Sequence, residues 1–114
     1  MPLSAGSSKL DITPASPCHL GGYANRDHPH EGVHDALSLR ALYVTNGTDE
    51  VALVSADILW FREEVAKPIH ELIQEQLGIP PEHVMLCGTH THSAPKVVKK
   101  PAATHDKTTR PQDW

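Results

Sequence analysis

The stretch Val84-Met85-Leu86-Cys87-Gly88-Thr89-His90-Thr91-His92-Ser93-Ala94-Pro95 runs from a short apolar segment directly into two histidines. Residues 84–87 predict a buried strand, in which Cys87 acts as a small hydrophobic side chain. Gly88 indicates a close approach between two backbone segments, and Pro95 indicates the end of regular pairing. Because open α/β sheets bind ligands at the carboxyl ends of their strands, we predict a functional site at these histidines.

Residues 37–45 and 51–57 predict two further strands. The Asn46-Gly47 pair between them suits a tight turn with positive φ angles, which makes the two strands antiparallel neighbours. Apolar side chains occur on both faces of the first of these strands, so we expect both faces of the sheet to be covered. Residues 8–13 alternate in character and predict a short first strand.

A helix is predicted between residues 62 and 77 by one apolar stripe, made of Val65, Ile69, Leu72, Ile73 and Leu77. Pro68 suits a first turn that starts near residue 66, or else it kinks a longer helix. Gly78 and the prolines after it end the helix. Strand, helix and strand form a right-handed crossover, so residues 51–57 and 84–89 are expected to be parallel. The predicted fold class is α/β, with a mixed sheet, an antiparallel hairpin and a β-α-β crossover.

His90 and His92 are two residues apart, which places both imidazoles on one face of a regular strand. They could share a metal ion, or one could bind a metal while the other donates to a substrate. Two solvated loop histidines are the alternative interpretation. Catalytic zinc normally takes three protein ligands and a water. The further candidate ligands are His28, His30, His34, Asp35 and Asp57.

Several of these candidates lie in a loop-like segment, residues 14–35, which also contains His19. Its length of roughly twenty residues suggests a function beyond linkage. His28 and His30 occur in a run that is typical of solvated side chains. Asp57 either approaches His90 from the neighbouring strand or caps the turn that follows it.

Charge and composition exclude several classes of protein. The net charge is −4, and because five basic and two acidic residues lie from Lys96 onward, the segment before it carries −7. Such an acidic body does not neutralise phosphates, so we expect no nucleic-acid partner. Two cysteines do not form a disulfide framework. The sequence shows neither a transmembrane run nor a secretory signal, and we expect a cytoplasmic chain.

Five ordered segments resemble one family: Gly-Tyr-Ala at 22–24, GVHDALSLRAL at 32–42, VALVSAD at 51–57, GIPPEHV at 78–84 and GTHTHSAP at 88–95. From about Ser4 to Pro95 the chain resembles the amino-terminal part of the neutral/alkaline non-lysosomal ceramidases. The resemblance implies a zinc amidohydrolase that cleaves a lipid amide, ceramide, to sphingosine and a fatty acid. Bound Zn²⁺ would acidify a water and polarise the amide carbonyl. Members of this family are often secreted or membrane-associated.

The resemblance also implies roles for three histidines. His90 matches the first histidine of the family's H-T-H-S-G-P motif, a zinc ligand. His92 would orient the metal-bound water or the amide oxygen. His34 would line the site or support it. Ala94 replaces the glycine of the motif, a change expected to stiffen the turn.

Family enzymes are several times longer, and their other zinc ligands lie downstream. We therefore expect residues 1–95 to be the amino-terminal part of the hydrolase domain, hence a partial domain, and 96–114 to be a disordered, non-homologous tail. An incomplete sheet could associate with itself through its unfinished edge. A catalytically inactive metal-binding or interaction module derived from this fold is the alternative to an enzyme. A third hypothesis is an unrelated metal hydrolase that oligomerisation completes.

Overall fold

The structure is a computed structural model and describes residues 2–97. Its regular elements are β1 (Ser4–Asp11), β2 (Ser38–Thr45), β3 (Glu50–Ala56), α1 (Glu63–Leu77), a single 3₁₀ turn (Pro81–His83) and β4 (Val84–Gly88). The strands form one sheet in the order β1-β2-β3-β4. The first three strands are antiparallel and the last pair is parallel. The prediction of a mixed α/β sheet, as a partial domain, is confirmed.

The hairpin between β2 and β3 is closed by the Asn46 side chain. Its Oδ1 accepts the backbone N–H groups of Thr48 and Asp49, at 2.9 and 2.7 Å. Of the predicted turn pair, Gly47 has the positive φ, 93°. A short polar side chain that bonds its own backbone two and three residues on is what makes asparagine favourable in such turns.

The parallel pairing of β3 and β4 is also as predicted, and its register ends at Ala56 opposite Gly88. Gly78 ends α1 in the left-handed region, with φ 71°, and donates its N–H to the Gln74 carbonyl. The helix begins at Glu63, so Pro68 lies inside it and not in the first turn. The expectation of a helix that starts near residue 66 is therefore wrong, and the alternative of a longer helix around Pro68 applies.

Strand β1 is longer than predicted and begins earlier. It pairs with β2 from Ser4 opposite Thr45 to Asp11 opposite Ser38, and all its residues are exposed. Its first half, Ser-Ala-Gly-Ser-Ser, contains no apolar alternation, so the period-2 pattern gives no indication of it. The free edge of β2 supplies the backbone hydrogen bonds that make this segment a strand.

The described residues cover only one face of the sheet. Helix α1 lies over the face that carries Ala52 and Val54, and Ile73 and Leu77 border a cavity between them. On the opposite face Leu42, Leu53 and Met85 pair across three strands and are 40, 42 and 58% exposed. The expectation that both faces are covered does not hold within residues 2–97. Cys87 lies on the same open face and is exposed, so its predicted burial is wrong.

Buried apolar side chains lie at both ends of the parallel strand pair. Ala56, Ile58 and Ala94 lie at its carboxyl end, and Ile79 and Val84 lie at the start of β4. Within residues 2–97, no helix has the length and apolar character needed to cross a membrane. The predicted tail, 96–114, lies outside the described residues except for Lys96 and Val97.

Candidate active site

The end of β4 is held against the segment that follows β3. A Cβ atom at Gly88 would lie 3.0 Å from the Ile58 and Leu59 carbonyl oxygens, which confirms the predicted close approach. Beyond the strand, Thr89 donates its N–H to Ala56 and His90 donates its N–H to Ile58. These bonds place the first histidine of the motif directly over the loop that contains Leu59.

His90 has an unusual backbone and a defined side-chain partner. Its φ is +67°, a left-handed conformation that is uncommon for a residue other than glycine and that occurs often at functional sites. Its Nδ1 lies 3.0 Å from the Leu59 carbonyl oxygen. Because a carbonyl can only accept, Nδ1 carries the proton in this bond, and in the neutral ring Nε2 keeps a free lone pair.

His92 lies beside His90, but not through the alternation of a strand. Strand β4 ends at Gly88 and the chain turns at His90. The two histidines therefore do not lie on a regular strand, and the strand alternation on which the prediction is based is wrong. The rings still meet, edge to face, with their centroids 5.1 Å apart. Two imidazoles therefore form one pair at the carboxyl edge of the sheet.

The loop before β2 packs tightly on His92. Gly22 has φ 109°, and a Cβ atom there would lie 2.4 Å from His92 Nδ1. The Tyr23 ring lies 4.8 Å from the His92 ring. Within residues 2–97, His92 Nδ1 is buried without a hydrogen-bond partner. This buried nitrogen leaves Nε2 as the atom through which His92 can act.

Tyr23 and Trp60 extend the histidine pair into a row of four rings. Trp60 lies 5.8 Å from His90, at the opposite end of the row from Tyr23. Both aromatic side chains are about half exposed, and together with Leu20 and Leu59 they line a cleft of about 280 Å³. Sequence reasoning missed both residues. Tyr23 stands in the Gly-Tyr-Ala segment, and Trp60 is an exposed tryptophan close to a strand end, where ligands bind in α/β sheets.

The segment after the histidines pairs once more. Leu20 and Pro95 form an antiparallel bridge, flanked by bonds from Gly21 N–H to Ala94 and from Lys96 N–H to His19. Pro95 thus takes part in an isolated bridge, and no regular strand follows it within residues 2–97. Ala94 is 2% exposed and has no positive φ, so its backbone needs no glycine.

His34 lies in a different cleft. This second cleft, of about 440 Å³, is bordered by Ser93 and Pro95 of the motif and by His34 and Asp35. The His34 side chain is 97% exposed, and its Nδ1 lies 2.9 Å from the Asp35 carboxylate. The structure thus brings His90 and His92 together and places His34 beside the motif, away from the ring row.

The other candidate ligands have structural partners. His28 bonds the Asp27 carboxylate at 2.8 Å, which raises the pKa of His28 above its usual value. His30 Nδ1 lies within hydrogen-bond distance of the Cys18 backbone, so this histidine closes the loop.

The Asp57 carboxylate accepts the Ser38 N–H at 2.8 Å, and this bond ties the end of β3 to the start of β2. Its bond partner is therefore the start of β2 and not the turn that follows Asp57, and a role of Asp57 beside His90 stays a prediction. Between residues 2 and 97, no three His, Cys, Asp or Glu side chains are grouped so that they could hold a metal ion.

Together these features define a partial α/β domain whose parallel strand ends in a histidine pair beside an aromatic cleft. The sequence model described as "Neutral/alkaline non-lysosomal ceramidase, N-terminal" matches residues 3–108. The chain therefore belongs to the neutral/alkaline non-lysosomal ceramidase family. The match extends past residue 95, and the domain boundary predicted there stays a prediction.

Relatives and solved structures agree with this family. The chain is 36% identical over 95 residues to neutral ceramidase B of Dictyostelium discoideum and 33% identical over 94 residues to neutral ceramidase 3 of Arabidopsis thaliana. Each alignment covers 79% of this chain and 13% of the relative. The crystal structure of neutral ceramidase from Pseudomonas aeruginosa superposes with a TM-score of 0.72 at 27% identity, over 83% of this chain and 16% of that one. A ceramidase complexed with C2 gives 0.70 at 26% identity, with the same coverage. The chain thus spans about an eighth of the length of these relatives.

Proposed function

We propose that this chain supplies the amino-terminal part of the active site of a zinc amidohydrolase that hydrolyses ceramide to sphingosine and a fatty acid. Membership of the ceramidase family supports the reaction. The single observation that carries the assignment of the site is the bond between His90 Nδ1 and the Leu59 carbonyl. Metal-binding histidines commonly donate their second ring nitrogen to a carbonyl or carboxylate, which fixes the tautomer and the direction of the ligating nitrogen.

The donor set fits zinc in part. His90 presents Nε2 as a ligand of the kind zinc prefers, and His92 stands 5.1 Å away, ring to ring. Zinc bound there would supply an acidified water and a polarised amide carbonyl. Since catalytic zinc takes three protein ligands and residues 2–97 contain no group of three, the other ligands must come from outside these residues.

His92 has a supporting role in this proposal. Its Nδ1 faces the Gly22 backbone, so Nε2 is the nitrogen available to hold a water or the amide oxygen in place. His34 remains a proposed site residue that would act from the neighbouring cleft, through its ring nitrogen beyond the Asp35 bond. The cytoplasmic location stays a prediction.

The cleft between Tyr23 and Trp60 suits the apolar part of a lipid amide. Aliphatic and aromatic side chains line it, and the cationic residues Arg62 and Lys96 also border it. Ligand sites commonly combine an apolar lining with a few polar groups that orient the ligand. A hydrocarbon chain in this cleft would bring the polar end of the substrate close to the ring row.

A metal-binding or interaction module without turnover is the second candidate function. The missing third ligand within residues 2–97 favours it. The two functions differ in whether bound zinc is accompanied by amide cleavage.

The test is hydrolysis of a fluorescent short-chain ceramide by the purified chain in the presence of zinc, read as released fatty acid. We expect slow, zinc-dependent release that His90→Ala abolishes. His28→Ala is the matched control, because His28 is an exposed loop histidine that bonds Asp27. Zinc binding without release would favour the inactive module, and release that persists in His90→Ala would contradict the proposed site.

A further inference from the structure

Arg26 joins the loop of residues 14–35 to the histidine motif. Its Nη1 donates to the His92 carbonyl oxygen at 2.9 Å and to the Gly21 carbonyl oxygen at 3.2 Å. The side chain is half-buried, so both bonds form where water competes less than at an exposed site. Bonds from a charged donor are stronger than neutral ones, and the planar guanidinium sets their direction.

The same guanidinium also contacts the Tyr23 ring, which packs against His92. Arg26 Cζ lies 5.0 Å from the centroid of the Tyr23 ring, within the range of a cation–π contact. That ring lies 4.8 Å from the His92 imidazole. Arg26 therefore acts on His92 from two sides, on its main chain directly and on its side chain through Tyr23.

The packing between these two segments leaves little room for movement. Gly22 lies so close to the His92 ring that only a glycine fits, and Gly21 donates its N–H to Ala94 just beyond the motif. The Arg26 bonds link these contacts to one another. Removal of the guanidinium leaves the Gly21 and His92 carbonyls without this donor and removes the cation–π contact to Tyr23, which packs on His92.

From these contacts we infer that Arg26 is a positioning residue for His92, and that it holds the imidazole in register with His90 at the proposed metal site. The role of Arg26 in zinc binding rests on the proposed function, whereas its effect on the position of the His92 ring does not. Outer partners of metal sites typically change metal affinity by about 10- to 100-fold when they are removed.

The test compares the histidine ring signals of the metal-free chain by long-range proton–nitrogen NMR, with His92 assigned through His92→Ala. In Arg26→Ala we expect the His92 signals to shift while circular dichroism shows a folded chain. Arg26→Lys keeps a cation but not the planar guanidinium that contacts the Tyr23 ring, and we expect a smaller shift in the same direction. Arg40→Ala is the control, since Arg40 lies on the open face of the sheet.

A second readout is zinc affinity by calorimetry, for which we expect a loss of about tenfold or more in Arg26→Ala. If Arg26→Ala only lowers the melting temperature and leaves the His92 signals of the folded chain unchanged, the positioning role is wrong. If Arg26→Ala does not fold, the signals of Arg26→Lys decide in the same way. A chain that binds no zinc but shows the NMR shifts would overturn the proposed function and leave the role of Arg26 intact.

Discussion

His90 and Gly22 are the two residues whose backbones carry the site. His90 adopts φ +67° because its N–H and its ring both bond the carbonyls of Ile58 and Leu59. Gly22 adopts φ +109° directly against the His92 ring. Backbone conformations of this kind persist only where the surroundings fix them, and here one belongs to the imidazole pair and the other packs against the His92 ring.

Gly22→Ala should destabilise the chain by at least about 2 kcal/mol, since it combines a positive φ with a steric conflict. The conflict is with the His92 imidazole. Gly78→Ala separates the two causes, because Gly78 has φ 71° and open space around its Cα, and it should cost about 1 kcal/mol. Urea unfolding measures all three chains. Equal losses for the two variants would contradict the tight packing of Gly22 on His92.

Helix α1 provides the crossover although it contains a proline in its interior. Pro68 removes one N–H from the hydrogen-bond ladder, yet the helix runs from Glu63 to Leu77. The helix has no fully buried residue, so its stability depends on a partly covered apolar stripe and on the Gly78 cap. Helix α1 can therefore gain stability from a change that restores its hydrogen-bond ladder.

Pro68→Ala should raise the free energy of unfolding by about 1–3 kcal/mol, because it restores a backbone donor and removes the ring from the helix interior. Lys67→Ala is the neighbouring control, with an exposed side chain and an unchanged ladder. Circular dichroism during urea unfolding gives both values. A Pro68→Ala chain no more stable than Lys67→Ala would show that α1 already accommodates the proline without loss.

The sequence predicts an element well when the contacts that stabilise the element come from residues nearby in the chain, and poorly when they come from distant residues. The hairpin at Asn46-Gly47 and the α1 stripe are local, and both are predicted. The first half of β1 and the φ of His90 depend on partners distant in the chain, respectively β2 and the Leu59 loop. No period or motif in the sequence reports such contacts.

The candidate site follows the same rule. The motif identifies His90 and His92, but their contact arises from the turn at His90 and not from strand alternation. Tyr23, Trp60 and Arg26 join the site through ring stacking and hydrogen bonds between distant segments. Asp57 and His30 bond to backbone groups, contacts that their residue type does not reveal.

At the scale of the whole molecule, the described residues leave one sheet face open and two strand edges, those of β1 and β4, unpaired. Leu42, Leu53 and Met85 form an apolar row on that face, although the sequence pattern is that of a strand covered on both sides. Exposed apolar faces and unpaired strand edges favour association. The relatives are several times longer than the chain, so they have further segments available to cover such a face.

We predict that the isolated chain self-associates through this face and the β4 edge. The reactivity of Cys87 reports on this association, because its thiol is exposed on the open face. Burial raises the pKa of the Cys18 thiol, so Cys18 reacts more slowly. Labelling of Cys87 should slow as the chain concentration rises, and Leu53→Lys should keep it fast. Thr48→Lys, in the hairpin turn, is the charge-matched control. Labelling rates that do not depend on concentration would show that the open face stays free.

Calorimetric titration of the chain with Zn²⁺ at neutral pH tests whether His90 is a zinc ligand. We expect binding tighter than millimolar that His90→Ala removes and that His28→Ala leaves unchanged, because the Leu59 carbonyl fixes the His90 ring and leaves its Nε2 free to bind. Millimolar or weaker affinity, equal in the chain and in His90→Ala, would contradict the assignment of His90 as a zinc ligand.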